Sequence, residues 1–171
     1  SGDNQILSMR LKVSESQFLE YRYELKPKDH MLGFSVRSQG LSSVLNTSQD
    51  VQLDWKFNAH RQDKSITFEN RYTRLSYLHE VDKTNKLSQT GDDDETEIDV
   101  SWFSFRQHFF SSILVPEVPF KSVDLKSFNL VNDETVDTLF TKRYEVSLPL
   151  GFSGGELAHN MSIYYGPTYD K

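Results

Sequence analysis

Cysteine is absent from the 171 residues. That excludes disulfide stapling, thiolate metal sites and a cysteine nucleophile. A small secreted domain of a higher organism is often held by disulfides. Their lack fits a cytoplasmic protein, or a bacterial periplasmic domain large enough to fold on its core alone. Glycine and proline are sparse, at eight and five, which argues for an ordered domain rather than a disordered tail. No stretch reaches the ~20 consecutive apolar residues of a membrane span, and no signal peptide is evident. The leading Ser1-Gly2 reads as a cloning scar. The chain is therefore expected to be an excised piece, and the missing span carries no weight for its parent. Cations are the minority charge, 19 Lys and Arg against 25 Asp and Glu, for a net charge of −6. Such a surface argues against non-specific binding to nucleic acid or anionic lipid.

Aromatic residues are plentiful, at 13% of the chain. They are densest in Trp102-Phe103-Ser104-Phe105-Arg106-Gln107-His108-Phe109-Phe110-Ser111-Ser112-Ile113-Leu114-Val115-Pro116. As a helix, this stretch would line up Trp102, Phe105, Phe109 and Ile113. As strand, both alternating rows carry large apolar groups, which suits burial on both sides inside a sandwich. Its β-preferring residues and the closing Pro116 favour strand. Arg106, Gln107 and His108 read as polar groups near a bend or sheet margin, with Gln107 bonding to backbone.

Alternation marks further strands. Leu7, Met9, Leu11 and Val13 oppose Ser8, Arg10 and Lys12, a half-buried strand from Ile6 to Val13. Gln17 to Leu25 and Met31 to Ser38 follow across turns at Ser14-Glu15-Ser16 and Lys26-Pro27-Lys28-Asp29, completing an antiparallel meander. Val51, Leu53, Trp55 and Phe57 give the cleanest alternation. Ile66 to Glu69 and Tyr72 to His79 read as short strands, and Val81 to Glu95 as a long polar loop. Phe120 to Leu130, Tyr144 to Leu150 and Glu156 to Tyr165 read as strands, the last two as a hairpin-like pair. Thr135 to Thr141 reads as one or two helical turns. About ten short strands with regular turns predict one all-β domain over residues 1–171, an antiparallel sandwich with little helix.

Candidate chemistry is thin. Gly151-Phe152-Ser153-Gly154-Gly155 matches the nucleophile-elbow pattern, but a strand rather than a helix follows it, and the acid and histidine come in the wrong order. A glycine-rich turn accounts for it better. Asp92-Asp93-Asp94-Glu95 with Glu97 could collect a hard cation, but the spacing fits no EF-hand and a solvated acidic loop is the commoner case. No two histidines share metal-pair spacing. His60, His79 and Glu80 would be the first residues to test for sugar chemistry, although nothing in their spacing singles them out. No cofactor and no metal is therefore expected.

The aromatic stretch resembles the W-x-x-F-[KR]-Q-x-F-F-S-S-[VI]-L segment of the large periplasmic domain of YidC-type membrane protein insertases. Glu24-Leu25-Lys26-Pro27-Lys28-Asp29-His30-Met31-Leu32-Gly33-Phe34, Leu53-Asp54-Trp55, Leu87-Ser88-Gln89-Thr90-Gly91-Asp92-Asp93 and Asn160-Met161-Ser162-Ile163-Tyr164-Tyr165-Gly166-Pro167 are similar to other pieces of that domain, in the same order. The resemblance implies a β-supersandwich similar to the galactose mutarotase-like sandwiches, without assigned catalysis. It implies a structural-core role for Trp102, Phe105, Gln107, Phe109, Phe110, Tyr165, Gly166 and Pro167. The implied parent is a bacterial inner-membrane protein that assists membrane-protein insertion and folding, alone or with the Sec translocon, with this domain in the periplasm. Implied partners are the parent's transmembrane domain, Sec translocon components and nascent membrane-protein segments. The family's domain is longer on its N-terminal side, so the chain is expected to be its later portion. The alternative reading is a carbohydrate-binding or mutarotase-like sugar-processing sandwich. It predicts an exposed aromatic platform with carboxylates beside it.

Overall fold

The structure is a computed structural model that describes residues 3–135 and 138–168. Among the described residues twelve strands and one short α-helix run in the order β1 (Gln5–Ser14), β2 (Gln17–Leu25), β3 (Met31–Gln39), β4 (Val51–His60), α1 (Ile66–Tyr72), β5 (Arg74–His79), β6 (Lys83–Lys86), β7 (Asp93–Val100), β8 (Trp102–Arg106), β9 (Phe110–Pro116), β10 (Phe120–Asn129), β11 (Phe140–Leu150) and β12 (Ala158–Pro167), with a single 3-10 turn at Leu41–Ser43 between β3 and β4. They form two antiparallel sheets of unequal size. The large sheet is ordered β1-β2-β3-β12-β9-β8-β5-β6, and the small sheet β4-β11-β10-β7. The all-β antiparallel sandwich expected from the alternating pattern is what the chain forms.

The core lies between the sheets. Leu75, Tyr77, Phe103, Phe105 and Leu114 meet Val123, Leu125, Tyr144, Val146 and Leu148, all buried. Aromatic rings couple the layers: Trp55 meets Phe103 edge-on at 5.9 Å, and Phe57 stacks on Phe105 at 5.2 Å. Truncating one such core ring to alanine costs about 3–5 kcal/mol in proteins generally.

The expected antiparallel meander β1–β2–β3 forms, with Met9 beside Tyr21 and Tyr23 beside Phe34. Its outer side is pinned by Glu20. This almost fully buried carboxylate accepts from Arg10 Nε at 2.5 Å, from Ser8 Oγ at 2.7 Å and from Arg37 Nε. One side chain thereby joins three strands.

Several expectations are corrected. The Trp102 stretch is two strands, not one. β8 and β9 pair with each other across a turn at Gln107, where the Gln107 N–H donates to Phe110 O at 2.8 Å. Ile66 to Glu69 is helix rather than strand. Ser65 Oγ caps the first turn by accepting from Phe68 N at 3.3 Å. The buried Glu69 carboxylate accepts from Gln62 N, Asp63 N and Thr73 Oγ1 at 2.7–3.0 Å. Those bonds require a helical turn and outweigh the β preference of Ile66, Thr67 and Phe68.

The expected loop from Val81 to Glu95 contains β6 and the start of β7, both polar because they lie at sheet margins. β11 and β12 are not a hairpin. They belong to different sheets, and the Gly151–Gly155 turn crosses between them. β1 is a strand as expected but is exposed along its whole length rather than half-buried. The expected helical turns at Thr135 to Thr141 fall partly on residues 136–137, outside the described residues; Glu134 and Thr135 form a turn and Phe140 opens β11.

Candidate functional site: an apolar cleft on the outer face of the large sheet

Strand alternation places Ser76, Ser104, Ile113, Tyr164 and Met31 in one row across β5, β8, β9, β12 and β3, on the face away from the core. The serines are small and leave the floor low. Trp102, Ile113, Val115, Met31 and Tyr164 stand above it, enclosing an open cleft of about 660 Å³. Arg74 and Arg106, register neighbours on β5 and β8, line the same cleft. No carboxylate lines it among the described residues.

One wall depends on a missing side chain. Gly166 is buried, and a Cβ there would lie 2.6 Å from Tyr164 Oη and 2.8 Å from Tyr164 Cζ. The tyrosine ring therefore folds back along its own strand, where its hydroxyl donates to Pro167 O at 3.1 Å. Near this end Ser111 Oγ and Thr168 Oγ1 are hydrogen-bonded at 2.7 Å, and Thr168 Oγ1 donates to Gln107 O at 3.3 Å.

The eight residues assigned to a structural core separate into groups. Phe105 and Gly166 are buried in the sheet. Gln107 is buried and donates from Nε2 to His60 O at 2.8 Å, the backbone bond expected of it. Trp102 and Pro167 line the cleft. Phe109, Phe110 and Tyr165 are not core, because all three are exposed; Phe110 and Tyr165 stack on each other at 6.5 Å. Strand alternation explains the difference. The row through Phe110 and Tyr165 faces the core side, but lies at an end of the sheet that the small sheet does not cover. Tyr164, Ile113 and Ser104 were missed as cleft residues. Their signal was the outward row itself, with small serines between large apolar groups.

The candidate catalytic residues do not assemble. His60 ends β4 in the small sheet, whereas His79 ends β5 in the large one. His79 Nδ1 pairs with Glu97 Oε2 at 2.9 Å, not with Glu80, and Tyr77 Oη donates to Glu97 Oε1 at 2.8 Å. This trio closes the β5–β7 margin and lines none of the described cavities. Burial, then the Glu97 bond, raises the Tyr77 hydroxyl's pKa well above its usual value. Glu80 instead pairs with Lys83 in the β5–β6 turn. Ser153 sits in a tight turn with Glu156, and His159 Nε2 lies 2.7 Å from Gly151 O. The acidic residues are engaged one by one: Asp92 accepts from Asn129 N at 2.7 Å and Asp93 from Ser88 N at 2.6 Å. Among the described residues no three His, Asp or Glu side chains gather as a metal-binding group.

Fold and site together define a class: an antiparallel sandwich of unequal sheets, with an apolar cleft on the free face of the larger one. Comparison with known proteins gives the family. The family described as the YidC periplasmic domain matches residues 2–170, and the chain belongs to it. Among similar proteins named membrane protein insertase YidC, that of Parabacteroides distasonis is 30% identical over 169 residues, covering 98% of this chain and 26% of its own length. That of Bacteroides fragilis is 27% identical over 168 residues, covering 96% of this chain and 26% of its own. That of Porphyromonas gingivalis is 30% identical over 173 residues, covering 95% and 27%. The chain thus spans about a quarter of the length of these relatives. None of these relatives supports the carbohydrate reading. Trp55 and Trp102 are partly rather than fully buried, but the cleft that Trp102 lines has no acid in it. No helix among the described residues is long and apolar enough to cross a membrane.

Proposed function

We propose that this chain is a single, non-catalytic periplasmic sandwich of an inner-membrane insertase, and that its outer cleft docks extended apolar segments of membrane proteins during insertion and folding. The observation that carries this reading is the cleft's lining: Trp102, Tyr164, Ile113, Val115 and Met31 with no carboxylate. An apolar segment entering it meets rings and aliphatic groups over a serine floor, so affinity comes from desolvated area and specificity stays low. The names of the relatives supply the class of client, since a membrane-protein insertase handles apolar chain. The scattered histidines and the turn-bound Ser153 support the non-catalytic part. Work with the Sec translocon, and contact with the parent's own transmembrane portion, belong to the same proposal.

The test is a fluorescence-anisotropy titration of dye-labelled extended apolar peptides, and of labelled periplasmic domains of the Sec translocon, with the protein. Saturable binding of the peptides is expected, with loss in Trp102→Ala and Ile113→Asp. Flat curves across all partners would overturn the docking role and leave the domain as a spacer.

A further inference from the structure

The two long walls of the outer cleft differ in chemistry. On the cleft face β8 carries Trp102, Ser104 and Arg106, and β5 carries Arg74 and Ser76. The serines form the floor. On one side of them stand Trp102 and, on β9, Val115. On the other stand Arg74 and Arg106, directly opposite each other in the register. Trp102 and Arg106 are four residues apart on one strand, so roughly 13 Å separates the walls. The floor opens at the β6 edge, where exposed Lys86 is the register partner of Ser76. Ile113 and Tyr164 close its other end. From β6 to β9 is three strand spacings, about 14 Å, or about four residues of extended chain.

The cationic wall stands in an acidic chain. The net charge is −6, yet the described residues that line the cleft include two arginines and no acid. Lys86 adds a third cation at the mouth. Like charges placed directly opposite in an antiparallel pair repel. A carboxylate set between two guanidiniums relieves that repulsion through short, charge-assisted bonds. Each arginine already makes a contact of its own, and its five N–H donors can serve more than one partner.

We infer that the cleft selects client segments in which an acidic residue adjoins an apolar run. The inference rests on the docking role proposed above and gives it a specificity. Successive side chains of an extended chain point to opposite sides. A segment lying along the serine floor therefore turns an apolar side chain to Trp102 and Val115, and its neighbour's carboxylate to Arg74 and Arg106. The discrimination that the apolar wall lacks comes from the wall facing it. In membrane proteins Lys and Arg are concentrated in cytoplasmic loops, so the flank that a span shows to the periplasm is the one this wall does not repel. An anionic phospholipid fits worse. A cleft of about 660 Å³ and four residues' length would leave most of two acyl chains outside.

Three dye-labelled peptides with uncharged ends test this by anisotropy. They share one apolar run and differ only in the residue adjoining it, which is Glu, Gln or Lys. At low salt the Glu peptide is expected to bind about 10-fold more tightly than the Gln peptide, and the Lys peptide most weakly. The preference should shrink at about 0.5 M salt, where screening is strong. Arg74→Gln and Arg106→Gln should each bring the Glu and Gln peptides towards equal affinity, and Arg106→Lys should keep part of the preference. Comparing two peptides on one protein is an internal control, since a variant that fails to fold loses both. Equal affinity of all three peptides for the parent protein overturns the inference and leaves apolar docking standing. Binding of none of them overturns both. Co-sedimentation of the protein with phosphatidylglycerol vesicles that is lost in Arg74→Gln assigns the wall to a lipid headgroup, and overturns the inference as well.

Discussion

Gln107 Nε2 donates to His60 O at 2.8 Å, a bond from the β8–β9 turn of the large sheet to the end of β4 in the small one. Gln107 is buried, so water cannot replace it without a local opening. Gln107→Ala leaves the carbonyl unpaired and opens a small void. The expected cost is about 1–3 kcal/mol, read as a lower urea midpoint with an unchanged slope. An unchanged midpoint would show that the sheets are held at this end without the bond.

Gln107 also marks how far the sequence could be read. Its polarity within an aromatic run pointed to a bend with a backbone bond, and both are present. The meander and the Val51 to Phe57 strand were legible because alternation along one strand reports which face is buried. Alternation does not report what buries it. β1 shows the apolar row of a half-buried strand, but nothing in Leu7 to Val13 says that this row is left exposed in the fold. Helix α1 was illegible for another reason. Ile66, Thr67 and Phe68 prefer strand, and what decides their conformation is the Glu69 carboxylate meeting Gln62 and Asp63. The cleft was half legible: Trp102 and Pro167 stood in recognisable segments, whereas Ser104 and Tyr164 gain meaning only from their register partners.

Glu20 couples stability to acidity. The Arg37 hydrogen bond lowers its pKa most, burial opposes, and Arg10 and Ser8 add to the lowering, so the carboxyl falls from its ordinary 4.5 to about 2. A folded pKa below the unfolded one contributes stability that is fully present above about pH 4.5 and lost as pH falls towards 2. Glu20→Gln is expected to cost about 1–3 kcal/mol at neutral pH. The gap between variant and parent should close between pH 4.5 and 2 in denaturant titrations. A gap that persists at pH 2 would show that packing, not charge, is what Glu20 supplies.

Lys142 runs the other way. Its side chain is buried on β11 and donates to Gln89 O. Burial lowers its pKa from 10.5 to about 8, and the Asp92 charge offsets only part of that. The folded state then binds fewer protons than the unfolded state between pH 8 and 10.5, so stability rises with pH through that window. At pH 7 the full penalty applies. Lys142→Met is expected to be more stable by about 1–2 kcal/mol there, with the advantage shrinking from pH 8 to 10.5. A less stable variant at pH 7 would mean that the bond to Gln89 O outweighs the buried charge.

The contact between Gly166 and the Tyr164 ring links packing to the proposed docking role. A methyl group at residue 166 would meet the far end of a partly exposed, movable side chain, with Oη only 2.6 Å away. Gly166→Ala should therefore cost little stability, below about 1 kcal/mol, because the ring can swing out. Swinging out removes one wall of the cleft, so apolar-peptide binding should weaken in the fluorescence titration. Tyr164→Phe separates ring from hydroxyl. It loses the bond to Pro167 O but keeps the wall, and should bind peptide nearly as the parent does. Weak binding in Tyr164→Phe with normal binding in Gly166→Ala would reverse the assignment. The hydroxyl would then be the recognising group, and the cleft would be selecting a polar feature of its client rather than apolar area.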